Sequence, residues 1–82
     1  MNMSGALTVA LSHRVMTVVA EAYEVGRHEL IRDARTAWTW YGPADELVAH
    51  LSGQHGWPAN LTVSYLATLR RVRLWNLPDR GW

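Results

Sequence analysis

The chain has 82 residues, of which 49% are hydrophobic and 18% are charged, and it has a formal net charge of +1 and no cysteine. This length predicts a single domain, residues 1–82, because two cores would not fit. The absence of cysteine excludes disulfides, thiolate metal sites and cysteine nucleophiles. A net charge this close to zero does not by itself indicate nucleic-acid binding.

The N-terminal region gives no membrane signal. Its longest uncharged stretch, Met1–His13, is shorter than the roughly 18–20 apolar residues that span a bilayer. A secretory signal carries positive charge ahead of its apolar part, and none precedes Ala6. We therefore expect no membrane partner and a cytoplasmic location.

Apolar residues at three- and four-residue steps predict a helix from about Ser12. This stripe consists of Val15, Val18, Val19, Ala22, Leu30, Ala34, Ala37 and Tyr41. Gly26 lies in its middle and costs about 1 kcal/mol relative to alanine in a helix, so the stripe also fits two helices joined near Gly26. Apolar residues alternate over 6–11, which fits either a strand or an earlier helical turn, and both interpretations stay open.

The region around two tryptophans predicts a change of structure. Trp38 and Trp40 would point about 200° apart on a helix and could not share a buried face there. In an extended segment they would share one. We therefore predict that over 38–41 the helix gives way to a short extended stretch, which ends at Gly42.

The next helix has the clearest predicted start. Pro43 is tolerated in a first helical turn, and Asp45 and Glu46 favour the positive end of the helix dipole. Gly53 is the predicted end of this helix. Residues 54–59, which include a glycine and a proline, are predicted to form a loop.

A further helix is predicted after Asn60, which can cap it. Its expected buried side consists of Leu61, Tyr65 or Leu66, Leu69 and Val72, and its other faces carry Thr62, Ser64, Thr68 and Arg71. Beyond it, residues 78–81 have the composition of a turn. The predicted fold class is therefore a mainly α domain of three to four helices.

The two predicted helices of the second half resemble the helix-turn-helix core of winged-helix DNA-binding domains. The residues that carry the resemblance are Pro43, Ala44, Asp45, Glu46, Leu47, Val48, Ala49, His50 and Leu51 in the first helix, and Leu66, Leu69, Leu74 and Trp75 in and after the second. Residues 38–42 and the turn after Leu77 are similar to the family's first strand and to a short C-terminal wing. The resemblance covers residues 38–82, and the segment 52–59 is longer than the family's tight turn.

The resemblance implies a small sequence-specific DNA-binding protein of the transcriptional regulator type, with double-stranded DNA as its partner. It places Ser64, Tyr65, Thr68 and Arg71 towards the major groove, and Arg70, Arg73 and Arg80 against phosphates. Thr62, at a position that the family usually fills with an apolar residue, completes the expected nucleic-acid-binding set.

The distribution of charge also indicates DNA contact by the C-terminal segment, but it has a second explanation. Residues 60–82 hold four arginines against Asp79 alone. Arg70, Arg71 and Arg73 are suited to phosphate oxygens and guanine edges, because the guanidinium group is a planar bidentate donor. Cations also gather at helix C-termini because the dipole there is negative.

Five tryptophans allow a second function class. Trp57, Trp75 and Trp82 are candidate contacts of a non-catalytic interaction module, such as a phage-type accessory or inhibitor protein that binds a host protein. Trp57 and Trp82 are the ones expected to be exposed. The alternative is that tryptophan fills a core without phenylalanine. A homodimer or a protein partner is expected in either function class.

Catalytic and metal signals are weak. The five-residue separation of His50 and His55 is not a zinc-ligand spacing on a helix, and no third ligand accompanies them. The chain has no serine elbow with glycines two residues before and after the serine, and no glycine-rich phosphate loop. We therefore predict no metal site, no cofactor and no enzymatic activity.

Overall fold

A computed structural model describes residues 3–72 of the chain, with side chains from residue 13 onwards. This part contains four α-helices and no strand: α1 (Met3–Tyr23), α2 (Arg27–Trp38), α3 (Ala44–His55) and α4 (Ala59–Arg71). The predicted mainly α fold is confirmed. None of these four helices combines the length and hydropathy that a bilayer crossing requires.

α1 begins at Met3, well before the predicted start at Ser12, so residues 6–11 are helical. It ends at Tyr23, and the next residue, Glu24, has a positive φ of 57°. The N–H of Val25 then donates to the carbonyl of Ala20 at 2.9 Å, which satisfies one of the last carbonyls of the helix.

α2 starts after Gly26, so the interpretation as two helices joined near Gly26 is confirmed. The N–H of Gly26 donates to the carboxylate of Glu29 at 2.9 Å. This contact gives the free amide at the helix start a partner and places a negative charge near the positive dipole end.

α2 ends within 38–41, where the helix is predicted to give way, but Trp38 is still helical, Thr39 is a turn residue and no strand forms there. Trp38 is the last residue of α2 and is exposed, whereas Trp40 is half-buried and packs against the core. The indole N–H of Trp40 donates to the carbonyl of Pro43 at 3.2 Å, which ties the connection to the start of α3. The two indoles therefore do not share a buried face, and Tyr41 is fully exposed.

α3 begins directly after Pro43, as predicted, with Asp45 and Glu46 in its first turn. It does not end at Gly53. The helix continues to His55 and ends at Gly56, whose φ of 72° is the left-handed conformation that glycine adopts most easily.

The predicted loop over 54–59 is therefore shorter, and only Gly56, Trp57 and Pro58 connect α3 to α4. Pro58 and not Asn60 precedes the first residue of α4, and its carbonyl accepts from the N–H of Leu61 at 3.1 Å. Proline suits this position because its ring presets a compatible φ and no amide donor is lost from the helix.

The core lies where α1 packs on α2 and α4, and where α3 packs on α4. Its buried apolar residues are Met16, Val19, Ala20, Leu30, Ala34, Ala37, Leu47, Leu51, Tyr65, Leu66 and Leu69. Val18 and Ala22 belong to the predicted stripe but are exposed, and Leu61 and Val72 are half-buried. The predicted wing after Leu77 lies outside the described residues, as do the predicted site residues Arg73, Trp75, Arg80 and Trp82.

Candidate nucleic-acid interface

The outward side of α4 is the candidate contact surface. Its exposed residues recur at helical spacing and are Asn60, Val63, Ser64, Ala67, Arg70 and Arg71. Most of these side chains are small, so the backbone of α4 can approach a partner closely. The arginines stand together in the last turn.

Arg70 and Arg71 are exposed, and within residues 13–72 neither forms an ion pair or a side-chain hydrogen bond. Both were predicted as nucleic-acid-binding residues, and both lie on the outward side of the helix. Their guanidinium donors therefore face solvent, at a helix end that favours positive charge.

Tyr23 of α1 lies within hydrogen-bonding distance of both Ser64 and Thr68. The Tyr23 hydroxyl lies 2.9 Å from the hydroxyl of Ser64 and 3.2 Å from that of Thr68. Thr68 also donates to the carbonyl of Ser64 at 2.9 Å and is half-buried, so its hydroxyl is occupied. Ser64 is exposed, so of these two predicted groove-facing residues only Ser64 is accessible.

Thr62 was placed among the outward-facing residues, and this prediction is wrong because the residue is fully buried. Its hydroxyl lies 2.7 Å from that of Ser52 on α3. The two hydroxyls are hydrogen-bond partners of each other inside the α3–α4 contact. Because both side chains are small, the helices can approach each other closely.

Tyr65 was implied as a groove-facing residue, and this prediction is also wrong. The ring is fully buried, and its hydroxyl donates to Oδ2 of Asp33 on α2 at 2.6 Å. The same oxygen lies 2.8 Å from Nε2 of His55, the last residue of α3. Three helices thus meet at one carboxylate.

The Asp33 carboxylate is fully buried, and its second oxygen, Oδ1, has no hydrogen-bond partner within the described residues. The guanidinium Nε of Arg32 lies 3.8 Å from Oδ1. Burial, followed by the hydrogen bond to Asp33 and its negative charge, raises the pKa of Tyr65 well above its ordinary value. Tyr65 is therefore a neutral donor at physiological pH.

Trp57 was expected to be exposed but is half-buried. Its indole stacks on the His55 ring with centroids 4.1 Å apart and planes 13° apart. It meets Tyr65 edge-on at 5.0 Å, and Tyr65 meets Tyr23 in the same way at 5.0 Å. These rings fix the turn between α3 and α4 against α1, so Trp57 is mainly a packing residue.

The sequence did not identify Asp33 and His55 as a pair. They are 22 residues apart, and no local spacing connects them. Asn60, Val63 and Ala67 were also not named as contacts, although their spacing with Arg70 and Arg71 follows a helix face.

Two apolar grooves border α4. The α3–α4 groove, of about 440 Å³, is lined by Ala44, Leu47, Val48, Val63, Leu66, Ala67, Arg70 and Arg71. The α1–α4 groove, of about 500 Å³, is lined by Arg14, Val15, Val18, Val19, Ala22, Tyr23, Thr68, Arg71 and Val72. Each groove has apolar walls and arginine at its edge, so each suits an apolar partner that carries negative charge.

Residues 3–72 contain no cluster of three or more histidine and acidic side chains arranged to hold a metal ion. The ring of His50 packs near Trp40, with centroids 5.4 Å apart, whereas His55 is hydrogen-bonded to Asp33. The two histidines therefore belong to separate environments.

Comparisons with known proteins gave no match: no family model, no curated protein and no solved structure is similar to this chain.

Proposed function

We propose that this protein binds double-stranded DNA sequence-specifically through a helix-turn-helix formed by α3 and α4. The observation that carries the proposal is the unit itself: a 12-residue helix, a three-residue connection with left-handed Gly56, and a 13-residue helix with two exposed arginines. Helix-turn-helix motifs join their helices through turns of about three to four residues that often contain glycine.

In such motifs the second helix enters the major groove, and its N-terminal residues contact base edges. In α4 this part exposes Asn60, Val63 and Ser64. An asparagine amide pairs with adenine in two hydrogen bonds, a serine hydroxyl donates or accepts, and valine methyl groups contact the thymine methyl. These residues replace the buried Thr62 and Tyr65 as candidate base contacts.

Arg70 and Arg71 would contact phosphates at the other end of α4. Their exposure and their lack of ion pairs within residues 13–72 support this role, because binding requires no internal contact to be broken. With a net charge of +1 on the whole chain, a small number of well-placed contacts has to supply the affinity.

The test is fluorescence anisotropy with a labelled duplex, after selection of preferred sequences from a random duplex pool. Two or three phosphate contacts predict a loss of affinity of about 10- to 40-fold between roughly 50 and 200 mM salt. Arg70→Ala and Arg71→Ala should each weaken binding and reduce the salt slope by about one.

The control is Arg27→Ala, which removes the same charge, together with an exposed hydrogen bond to His13, from the start of α2. It should leave the affinity and the salt slope unchanged. No binding at low salt, or equal losses in all three variants, would contradict the proposal.

A second candidate function has its own observation, the α3–α4 groove. Its walls are apolar, Val63 and Ala67 are exposed within it, and two arginines stand at its edge. It therefore fits an apolar protein segment that carries a carboxylate, as in helix-in-groove recognition. The protein would then act as a non-catalytic interaction module.

Salt separates the two functions. A partner held by apolar contacts stays bound at about 0.5 M salt, where phosphate contacts are screened. Binding that persists at high salt and is lost in Ala67→Glu would favour the protein partner over DNA. Arg27→Ala is the control and should retain this binding.

A further inference from the structure

We infer that the outer face of α1 pairs with α1 of a second copy of this chain, in an antiparallel arrangement with its two-fold axis at Val18. This interface is centred on α1 and borders α4 only along the α1–α4 groove, whose α4 wall consists of Thr68, Arg71 and Val72. It does not depend on the proposed DNA binding.

The first observation is an apolar face with no cover from the described residues. Met16, Val19 and Ala20 bury the inner face of α1 in the core. On the outer face Val18 is 59% exposed, and Ala22, one turn further along, is exposed too. The α1–α4 groove continues this face towards α4, so a helix lying along α1 would contact apolar surface of both α1 and α4.

The second observation is the placement of two opposite charges around Val18. Arg14 lies four residues before it and Glu21 three residues after it, both exposed. At 100° per residue, these two side chains stand on the same flank of the helix, about 20° apart. They are seven residues apart, so they are not the three- or four-residue neighbours that pair within one helix.

These positions are complementary in a second copy. When two α1 helices run antiparallel about Val18, Arg14 of one copy lies within one residue, about 1.5 Å of rise, of Glu21 of the other. The two-fold axis repeats the contact, so each dimer has two such ion pairs beside a central valine pair. A parallel arrangement would place like charges opposite each other.

Charge reversal tests this register in the full chain. Arg14→Glu alone and Glu21→Arg alone each convert both intermolecular pairs into repulsions. Each should raise the dimer dissociation constant by about tenfold or more in sedimentation velocity. The double reversal, Arg14→Glu with Glu21→Arg, restores both pairs with inverted polarity and should recover the dimer.

Val18→Asp should also dissociate the dimer, because it buries charge at the axis. Val63→Asp is the matched control, since Val63 is 52% exposed on a different face, and it should leave the dimer intact. Circular dichroism confirms that each variant is folded. A monomer at all concentrations, or a dimer that neither charge reversal weakens, would overturn the inference.

Discussion

The hydroxyl of Tyr65 donates to the buried carboxylate of Asp33 across 2.6 Å and thereby fixes α4 against α2. His55 lies 2.8 Å from the same oxygen and adds the end of α3 to this contact. The orientation of α4, and with it the direction of its outward face, therefore depends on one carboxylate that no solvent reaches.

Removal of this carboxylate should destabilise the protein strongly. Asp33→Ala leaves two buried donors unpaired, and each costs about 1–3 kcal/mol. Tyr65→Phe should cost about 1.5–3 kcal/mol, because it removes a hydrogen bond to a charged group. Because the two changes remove the same contact, the double variant should lose at least about 1 kcal/mol less than the sum of the single variants in urea unfolding. Strict additivity would contradict the coupling.

Alkaline pH should weaken the contribution of Tyr65 to the free energy of unfolding. Its pKa is higher in the folded than in the unfolded state, so this contribution is complete below about pH 10 and decreases as the pH rises towards the folded-state pKa. At about pH 11 roughly 1.4 kcal/mol should be lost. The free energy of unfolding of wild type and Tyr65→Phe, measured at about pH 8 and pH 11, should therefore converge. A constant gap would show that ionisation of Tyr65 is not linked to unfolding.

Two glycines near the end of α3 should respond in opposite ways to alanine. Gly53 lies within the helix, where a β-carbon would meet no atom within 4 Å, so Gly53→Ala should stabilise by about 0.5–1 kcal/mol. Gly56 has a φ of 72°, and Gly56→Ala should destabilise by about 1–2 kcal/mol. Thermal unfolding measures both, and a shift in the same direction for both would contradict these conformations.

In the proposed DNA complex, Asp45 should limit the affinity. It is exposed in the first turn of α3, which the proposal equates with the helix that crosses the phosphate backbone in helix-turn-helix complexes. Asp45→Asn removes a repulsive charge and should raise the affinity about twofold at low salt, and less at higher salt. Glu24→Gln is the control, because this exposed carboxylate lies in the connection between α1 and α2. An equal gain in both variants would indicate an effect of net charge alone.

Local signals in the sequence predicted the helix boundaries only in part. The start of α3 followed from Pro43 and the acids after it, and the break between α1 and α2 from Gly26. The end of α3 did not follow from composition, because an exposed Gly53 is tolerated inside a helix. A left-handed Gly56, with its N–H bonded to the carbonyl of Ser52, provides the actual end.

The side-chain placement on α4 was less predictable. Polar character suggested that Thr62 faces outward, but Ser52 supplies a hydroxyl partner inside the fold. Tyr65 can be buried because Asp33, which is distant in sequence, accepts a hydrogen bond from its hydroxyl. Burial of a polar residue depends on partners from other helices, and a single helical pattern contains no information about them.

The three-way contact of Asp33, His55 and Tyr65 also constrains how this sequence can evolve. Loss of Asp33 leaves the buried donors of Tyr65 and His55 without this acceptor, and loss of either donor leaves the buried carboxylate oxygen with one hydrogen-bond partner in place of two. An apolar trio of similar volume would avoid this cost, but only after all three positions had changed. Related sequences should therefore carry either the complete polar set or a wholly apolar replacement, with the intermediate combinations rare.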